Sequence, residues 1–290
     1  MLPNAPVPYQ IQPIQPQDQR AVLQLLVNAR WKHSHLDWFD SQQVLNDSHI
    51  FTAKLNEQTV ACLAAPEEPE RVAWIRLFLV SGEHHAQPLW DLLWPHVRDD
   101  ARHGGVDRIA VLSTTRWFAP ILYQAGFTYE TDVVFLERTL SHPPAVPGMD
   151  AAIRPMEIED LPDLVRVDHR AFAPIWRHSL SALTRAYYQA SHATVLDVED
   201  KPAGYQISTS SMFGAHLARV AVDPDWQRRG LGKALVADTL ASLSRQGYSN
   251  LSVNTQVDNL PSQRLYESLG FRRSGTRYPV LTQRLHPDMA

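Results

Sequence analysis

The chain repeats itself once, and a domain-sized repeat limits the possible folds more than any other feature of the sequence. Two halves, each near 140 residues, align at a constant offset of 142. Ile11 and Pro13 lie over Ile153 and Pro155, Asp18 over Asp160, Val80 over Val222, Leu89 over Leu231, Gly105 over Gly247 and Val111 over Val253. The first half then lacks two residues, and Gly126-Phe127 lies over Gly270-Phe271 at an offset of 144. A register held from Ile11 to Val111 reads as a duplicated domain, and so long a period excludes a solenoid. Between the halves, SHPPAVPGMD (residues 141–150) holds three prolines and a glycine and reads as a linker. The expected organisation is therefore a domain over 1–140, a linker over 141–150 and a domain over 151–290.

The second half shows its elements plainly. IRPM predicts a short strand, DLPDLVRVDHRAF and SLSALTRAYYQ predict helices, and ATVLDVE with AGYQISTSS predicts a hairpin around Asp200-Lys201. AHLARVAV alternates as a strand, with His216, Ala218, Val220 and Val222 expected on one face. Leu231, Leu235, Thr239, Leu240 and Leu243 follow at helical spacing, with Gly247 as the stop. NLSVNTQV predicts a strand, PSQRLYESLG a helix and TRYPVLTQRL a last strand. Strands and helices alternate, so each half is α/β or α+β around a mixed sheet.

Composition narrows the function classes. A net charge of −4 offers no basic field for gripping nucleic acid through counterion release. The single cysteine, Cys62, rules out an intramolecular disulfide and a multi-thiolate zinc site. No basic stretch followed by an apolar one opens the chain, and no apolar run approaches about 18 residues, so a cytoplasmic protein without a membrane span is expected. Oligomerisation is left open.

The sharpest signal is VAVDPDWQRRGLGKA, residues 220–234. A strand ends at Val222, a helix begins near Gly230, and Gln227, Arg228, Arg229, Gly230, Leu231, Gly232 and Lys233 lie between or just beyond them. Glycines let backbone approach a ligand, and the N–H groups at a helix start point outward with the positive end of the dipole. Arg228, Arg229 and Lys233 add charge, so the segment suits a pyrophosphate. A glycine-rich turn with solvated basic residues is the plainer alternative. The spacing matches neither a P-loop nor G-x-G-x-x-G.

With Gln227-Arg228-Arg229-Gly230-Leu231-Gly232 at this junction, the chain resembles the GCN5-related N-acetyltransferases (GNAT), whose pattern is Q/R-x-x-G-x-G/A. A second family pattern, N-x-x-A-x-x-L-Y-x-x-x-G-F, reads here from Asn259 to Phe271, with Ser262 in place of the small Ala. The resemblance covers roughly residues 151–285. Within the family, these stretches look most like the ribosomal-protein alanine N-acetyltransferases, and the duplication resembles tandem members such as mycothiol synthase. It implies two tandem GNAT-like acyl-CoA N-acyltransferase domains, and acetyl-CoA as co-substrate. Val220, Ala221 and Val222 would bond its pantetheine arm like an added strand, the segment from Gln227 to Lys233 would hold the pyrophosphate, and Asn259 and Ser262 would stand by the arm. Tyr266 becomes the candidate general acid. Helix capping by Asn259 and core packing by Tyr266 are the plainer readings of these two residues taken alone.

The resemblance implies direct attack of a neutral amine on the thioester. The alanine-acetyltransferase relatives carry a Glu where this chain has Asn254, and other members carry a Glu where it has His216. An imidazole accepts a proton near neutral pH, so His216 and a water held by Asn254 stand as competing candidates for the base. The acceptor is expected to be a small-molecule amine or a peptide N-terminus. A non-catalytic acetyl-CoA-binding or interaction module is the alternative. In the family the acceptor meets the first two helices and their connection, here roughly Phe172–Tyr188, with Trp176, Arg177, Arg185, Tyr187 and Tyr188 as candidate contacts or ordinary packing.

The first half departs from both patterns. The motif from Gln227 to Lys233 falls on His85-Ala86-Gln87-Pro88-Leu89-Trp90-Asp91, His216 on Trp74, Asn254 on Leu112, Asn259 on Trp117 and Tyr266 on Leu122, beside Tyr123. That half is expected to keep the fold without binding acetyl-CoA well. No metal site is expected: His33, His35 and Asp37, or His84 and His85, lack a full ligand set. Trp31, Trp38, Phe39, Trp90 and Trp94 are read as packing.

Overall fold

A computed structural model describes residues 9–36, 44–142, 144–145, 151–212 and 214–285. Most of the expected linker (residue 143 and residues 146–150), together with Asp37, Trp38 and Phe39, lies outside the described residues. The chain divides into two compact units, one formed by residues up to Glu130 plus those from Pro279 onward, the other by Thr131–Tyr278.

The first unit holds β1 (Gln10–Pro13), α1 (Gln19–Asn28), β2 (Trp31–Ser34), β3 (Ile50–Leu55), β4 (Gln58–Ala64), β5 (Glu67–Glu68), β6 (Val72–Trp74), β7 (Leu77–Val80), α2 (Ala86–His103), β8 (Arg108–Leu112) and α3 (Phe118–Gln124). One antiparallel sheet runs in the order β1-β3-β4-β7-β2. β6 pairs with β8 in parallel and with β5 antiparallel. On α2, Leu89, Leu93, Val97 and Ala101 recur every four residues beside Trp90 and Trp94, and this stripe is buried.

The second unit holds β9 (Thr128–Thr139, from Thr131 on), β10 (Ala152–Pro155), α4 (Leu161–Ala171), α5 (Leu180–Gln189), β11 (His192–Val198), β12 (Lys201–Ser211), β13 (Gly214–Val222), α6 (Leu231–Arg245), β14 (Asn250–Gln256), α7 (Leu260–Ser268) and β15 (Arg272–Arg284, as far as Tyr278). Its sheet runs β10-β11-β12-β13-β14-β9 and is antiparallel except at β13–β14. Glu199 and Asp200 take φ of 50° and 58°, the left-handed pair of a tight hairpin turn. The hairpin therefore turns one residue before the Asp200-Lys201 step expected of it.

The duplication is visible in the opening of each half. Gln15 and Glu157 share a φ of −111°, and each backbone N–H donates to the carboxylate three residues on, Asp18 at 3.0 Å and Asp160 at 2.8 Å. Each carboxylate also holds a cation. Asp18 pairs with Lys54 on β3, whereas Asp160 pairs with Arg154 on β10, which reaches Asp197 on β11 as well.

The compact units do not follow the sequence halves. β9 begins in the first unit and continues into the second, where it pairs along β14 from Gln256↔Val133 to Asn250↔Thr139 and places Val134 and Leu136 in that core. β15 begins in the second unit, and its end pairs antiparallel with β8 from Val280↔Leu112 to Arg284↔Arg108. Leu281 is fully buried in the first unit's core. Each half of the chain lends a strand to the other half's unit, so boundaries at 140 and 151 cut across the packing.

The bulge in β13 alters which side chains share a face. Ile207 pairs with Arg219 and Ser208 with Leu217, which leaves Ala218 as the extra residue. Leu217 lies in the cluster with α6 and α7, and Val220 packs against it, while Val222 clusters with Leu231 and Leu235. His216, Arg219 and Ala221 fall on the opposite face. The expectation that His216, Ala218, Val220 and Val222 share a face is therefore corrected: a strict alternation cannot pass through an inserted residue.

The strand exchange is testable by a single truncation of packing. Leu281→Ala should destabilise the first unit by about 2–5 kcal/mol, as expected for emptying a fully buried leucine site. Thermal denaturation should show a first-unit transition moving down while the second unit's transition stays.

Candidate active site

β13 and β14 part where the bulge sits. Their parallel pairing covers Ala215↔Leu251, His216↔Ser252 and Leu217↔Val253 and then ends. Val220, Ala221 and Val222 pair with Gln206, Tyr205 and Gly204 of β12 on one edge. Among the described residues no strand takes their other edge. A strand edge of this kind carries backbone donors and acceptors available to an extended ligand.

The turn after β13 leads to the start of α6. Gln227 Nε2 donates to Val222 O at 2.9 Å and ties the turn to the strand end. Arg228 and Gly230 both adopt left-handed backbone, with φ of 60° and 85°. Gly230 caps α6, and the first helical bond runs from Ala234 N to Gly230 O, so the amides of Leu231, Gly232 and Lys233 have no partner within the helix. The two glycines answer different demands. A Cβ on Gly230 would meet nothing, so its φ is what favours glycine, whereas a Cβ on Gly232 would come within 3.2 Å of Leu265 Cδ1. Both needs arise within the fold, beside any approach by a ligand. Arg228 and Lys233 are exposed, and Arg229 lies over the Trp226 ring at 4.6 Å. The cradle thus offers three free amides, a helix N-terminus and three cations, a good match to a pyrophosphate.

Tyr266 and His216 come from opposite faces of the sheet. Tyr266 on α7 is buried in the cluster with Leu217, Leu251 and Val253. Burial raises its phenol well above the ordinary value, against a smaller opposing pull from Arg219. His216 on β13 shares a 2.8 Å hydrogen bond with Ser252 Oγ, and burial lowers its imidazole to about 4. The Ser252 hydroxyl also lies 3.4 Å from Ala215 O. Asn254 stands two residues beyond Ser252 and shares its face. Its cross-strand partner Phe135 has its ring centroid 6.4 Å from that of His216. Asn259 caps α7, its Oδ1 accepting from Ser262 N at 3.3 Å, while Nδ2 reaches Gln256 Oε1 at 3.4 Å.

A buried polar network on the His216 face escapes sequence reasoning. Asp168 is fully buried on α4, and its Oδ2 accepts from Tyr205 Oη at 2.5 Å and from Arg219 Nε and Nη2 at 2.8 and 2.6 Å. Its Oδ1 accepts from His178 N at 3.0 Å. Arg219 Nη2 also donates to Trp176 O at 2.7 Å, and its guanidinium lies 3.5 Å from the Phe172 ring centroid. Two signals mark it in hindsight. Asp168 interrupts the buried stripe Leu161, Leu164 and Val167, and Arg219 interrupts an apolar strand. Of the acceptor-side candidates, Arg177 donates to Phe172 O at 3.1 Å, and Tyr188 is 70% exposed with Tyr187 edge-on to it at 5.5 Å.

The first unit has the same strand plan with its cleft filled. β6 and β8 run parallel as far as Trp74↔Ala110, and β7 then takes the place of Arg219–Val222. β7 pairs with β4 on one edge and with β2 on the other, from Trp31↔Val80 to Ser34↔Leu77. A segment of the chain itself lies along the edge that is open in the second unit. α2 begins at Ala86, three residues ahead of the position matching Leu231, so the cradle residues are wound into the helix. Trp90, at the position of Gly232, is fully buried between Phe78, Phe118 and the stacked Trp94. Trp117, at the position of Asn259, packs edge-on to Trp31 at 5.4 Å. His33 is buried against Ile75 O, and His84 meets Tyr9 Oη at 2.9 Å.

Comparison with known proteins agrees with this geometry. The profile of the Acetyltransferase (GNAT) family matches residues 160–271. The ribosomal protein bS18-alanine N-acetyltransferase of Escherichia coli is 32% identical over 131 residues, covering 44% of this chain and 87% of that protein. The mycothiol acetyltransferase of Saccharopolyspora erythraea is 30% identical over 133 residues, covering 40% of this chain and 42% of that protein. A tandem GNAT protein from the clavulanic acid biosynthesis pathway superposes with a TM-score of 0.66 at 16% identity, over 97% of this chain and all of that one. A GCN5-related N-acetyltransferase from Sphaerobacter thermophilus gives 0.63 at 14% identity, over 96% of each chain. The two structures speak for the fold, and the alignment along most of the bS18-alanine acetyltransferase speaks for descent. The chain belongs to the GCN5-related N-acetyltransferase family, in its tandem-domain form.

Proposed function

We propose that this protein transfers the acetyl group of acetyl-CoA to a primary amine, and that the acceptor is the α-amine of a peptide or a small amine of similar basicity. The open edge of β13 carries this reading, lying beside a helix-start cradle of free amides and cations. The edge of Val220–Val222 would take the amide-bearing pantetheine arm as an added strand. The amides of Leu231, Gly232 and Lys233, with Arg228, would hold the pyrophosphate, and Asn259 and Ser262 stand at the start of α7 beside the arm. Acetyl-CoA supplies an activated acyl group when bound.

The remaining work falls to two residues on opposite faces. Tyr266 keeps its proton at neutral pH, because burial opposes the phenolate, and it holds that proton for the leaving sulfur. His216 is neutral at neutral pH, and with Asn254 it offers a polar path for the amine's proton. At about 4 its imidazole is a weak base. A lysine amine, near 10.4, would need a stronger one, whereas an α-amine at about 7.7–8.0 is partly neutral unaided. The similarity to bS18-alanine N-acetyltransferases supports the same acceptor class.

Incubation with acetyl-CoA and an alanine-initiated peptide should release free thiol and add one acetyl group to the peptide by mass. Binding of acetyl-CoA without transfer to any amine would leave a non-catalytic binding module. Calorimetric titration should give one acetyl-CoA per chain, because β2 occupies the first unit's edge; two sites would overturn that account. Tyr266→Phe should lower kcat by about 10²–10⁴-fold, the usual range for a positioned acid, with acetyl-CoA affinity little changed.

The pH profile separates the base from the amine. A group that loses its proton near 4 contributes no limb between pH 6 and 9. The rise in kcat/KM should therefore follow the peptide amine, with a midpoint at about 8. His216→Gln should lower the plateau and leave that midpoint in place. A limb near 6.5 that vanishes in the variant would contradict a depressed imidazole.

A further inference from the structure

The connection between α4 and α5 is held to β13 by a buried ionic network at the point where the sheet opens. Arg219 is the second residue after the last parallel pair, Leu217↔Val253, and directly follows the bulged Ala218. Its side chain leaves the sheet on the His216 face, away from the cradle helix, and reaches three parts of one structure. It binds Asp168 through Nε and Nη2, bonds the carbonyl of Trp176, and lies face-on to Phe172. Asp168 in turn receives the amide of His178, and His169 Nε2 meets His178 O at 3.0 Å. Phe172, Trp176 and His178 are thus all fixed, at both ends and the middle of the stretch from Phe172 to Ser179. Tyr205, fully buried on β12, adds a third donor to the carboxylate oxygen that Arg219 uses.

We propose that Arg219, held by Asp168 and Tyr205, is a positioning residue that seats the Phe172–Ser179 connection at the mouth of the parted strands and so sets how tightly the acceptor amine is held. This rests on the acetyltransferase reading above. The physical argument is one of geometry. A guanidinium offers several donors in a rigid fork, so one side chain can hold a carboxylate and a carbonyl together and still present a flat face to a ring. The side-chain bonds of the network reach neither the cradle at the start of α6 nor the unpaired edge of Val220–Val222, and Tyr205 meets Ala221 only through backbone pairing on the other edge. Its loss should therefore act on the acceptor and leave the donor alone.

Arg219→Met keeps most of the stem and removes every polar contact, and Tyr205→Phe removes one donor from Asp168 with little change in shape. Three readouts are taken on the full chain: acetyl-CoA affinity by calorimetry, kinetics with an alanine-initiated peptide, and amide hydrogen exchange. In Arg219→Met the amides of residues 173–179 should exchange faster, His178 above all, while β12, β13 and β14 stay protected. KM for the peptide should rise by about 10–100-fold, kcat should fall much less, and acetyl-CoA affinity should hold. Tyr205→Phe should show the same pattern more weakly, and Arg219→Lys should restore part of the loss. Unchanged exchange in the connection would overturn the seating. Faster exchange with an unchanged peptide KM would overturn the acceptor role, and a parallel loss of acetyl-CoA binding would show that the network supports the whole cleft instead. If the wild-type chain binds acetyl-CoA and acetylates no amine, the functional reading fails separately, and the exchange experiment alone decides the seating.

Discussion

The parting of β13 from β14 is the constraint on which the rest of the second unit depends. A sheet normally satisfies each strand edge with a neighbour, because unpaired backbone groups are costly once they are away from water. Here one inserted residue, Ala218, ends the parallel pairing after Leu217 and turns the strand. Three consequences follow from that residue. The edge of Val220–Val222 is left without a neighbouring strand among the described residues. Val220 and Val222 turn toward α6, bringing the strand end against the helix whose start forms the cradle. Arg219 turns the other way, into the network that anchors the α4–α5 connection. The strand end packed on α6 and the anchored α4–α5 connection are therefore set on opposite faces by one local irregularity in hydrogen bonding.

Much of this was legible in the sequence, for reasons that differ from element to element. The helices of the second half carry strong apolar periodicity and clear stops, so α4, α5, α6 and α7 fall where they were expected. The cradle was legible because its demands are local: two glycines, a left-handed turn and a helix start lie within a few residues. Asn259 follows its plainer reading as a helix cap, its oxygen accepting at the start of α7 while its nitrogen donates to Gln256.

What was not legible depends on partners far away in sequence. The bulge defeats a face assignment based on alternation, because the inserted residue is defined only by pairing with Ile207 and Ser208. The exchange of strands defeats a boundary placed at the proline-rich segment. Nothing in TRYPVLTQRL distinguishes residues that pair with one unit from residues that pair with the other, yet Leu281 fills the core of the first unit while Tyr278 belongs to the second. Asp168, Tyr205 and Arg219 are spread over 52 residues of sequence and converge only in the folded sheet. Each looks like a misplaced polar residue until the others are beside it.

The first unit shows the same plan with its strand edge and its gap closed by its own chain. An open strand edge and a glycine-sized gap are liabilities unless something occupies them, since the edge exposes backbone groups and the gap forgoes packing. The unit resolves both with its own chain. β2 supplies hydrogen bonds along β7, and Trp90 fills the space above Phe78 that a glycine at that position would leave empty. Starting α2 three residues early moves the free amides of the helix start away from the position matching the cradle. Each of these features puts an intramolecular contact where the second unit has an open strand edge, a glycine or a free amide. The carboxylate at Asp18 holds the same place as Asp160 and differs in its cation, Lys54 on β3 against Arg154 on β10. That pairing fixes the entry of the first helix in both units, a task independent of any ligand, and it persists where the cradle does not.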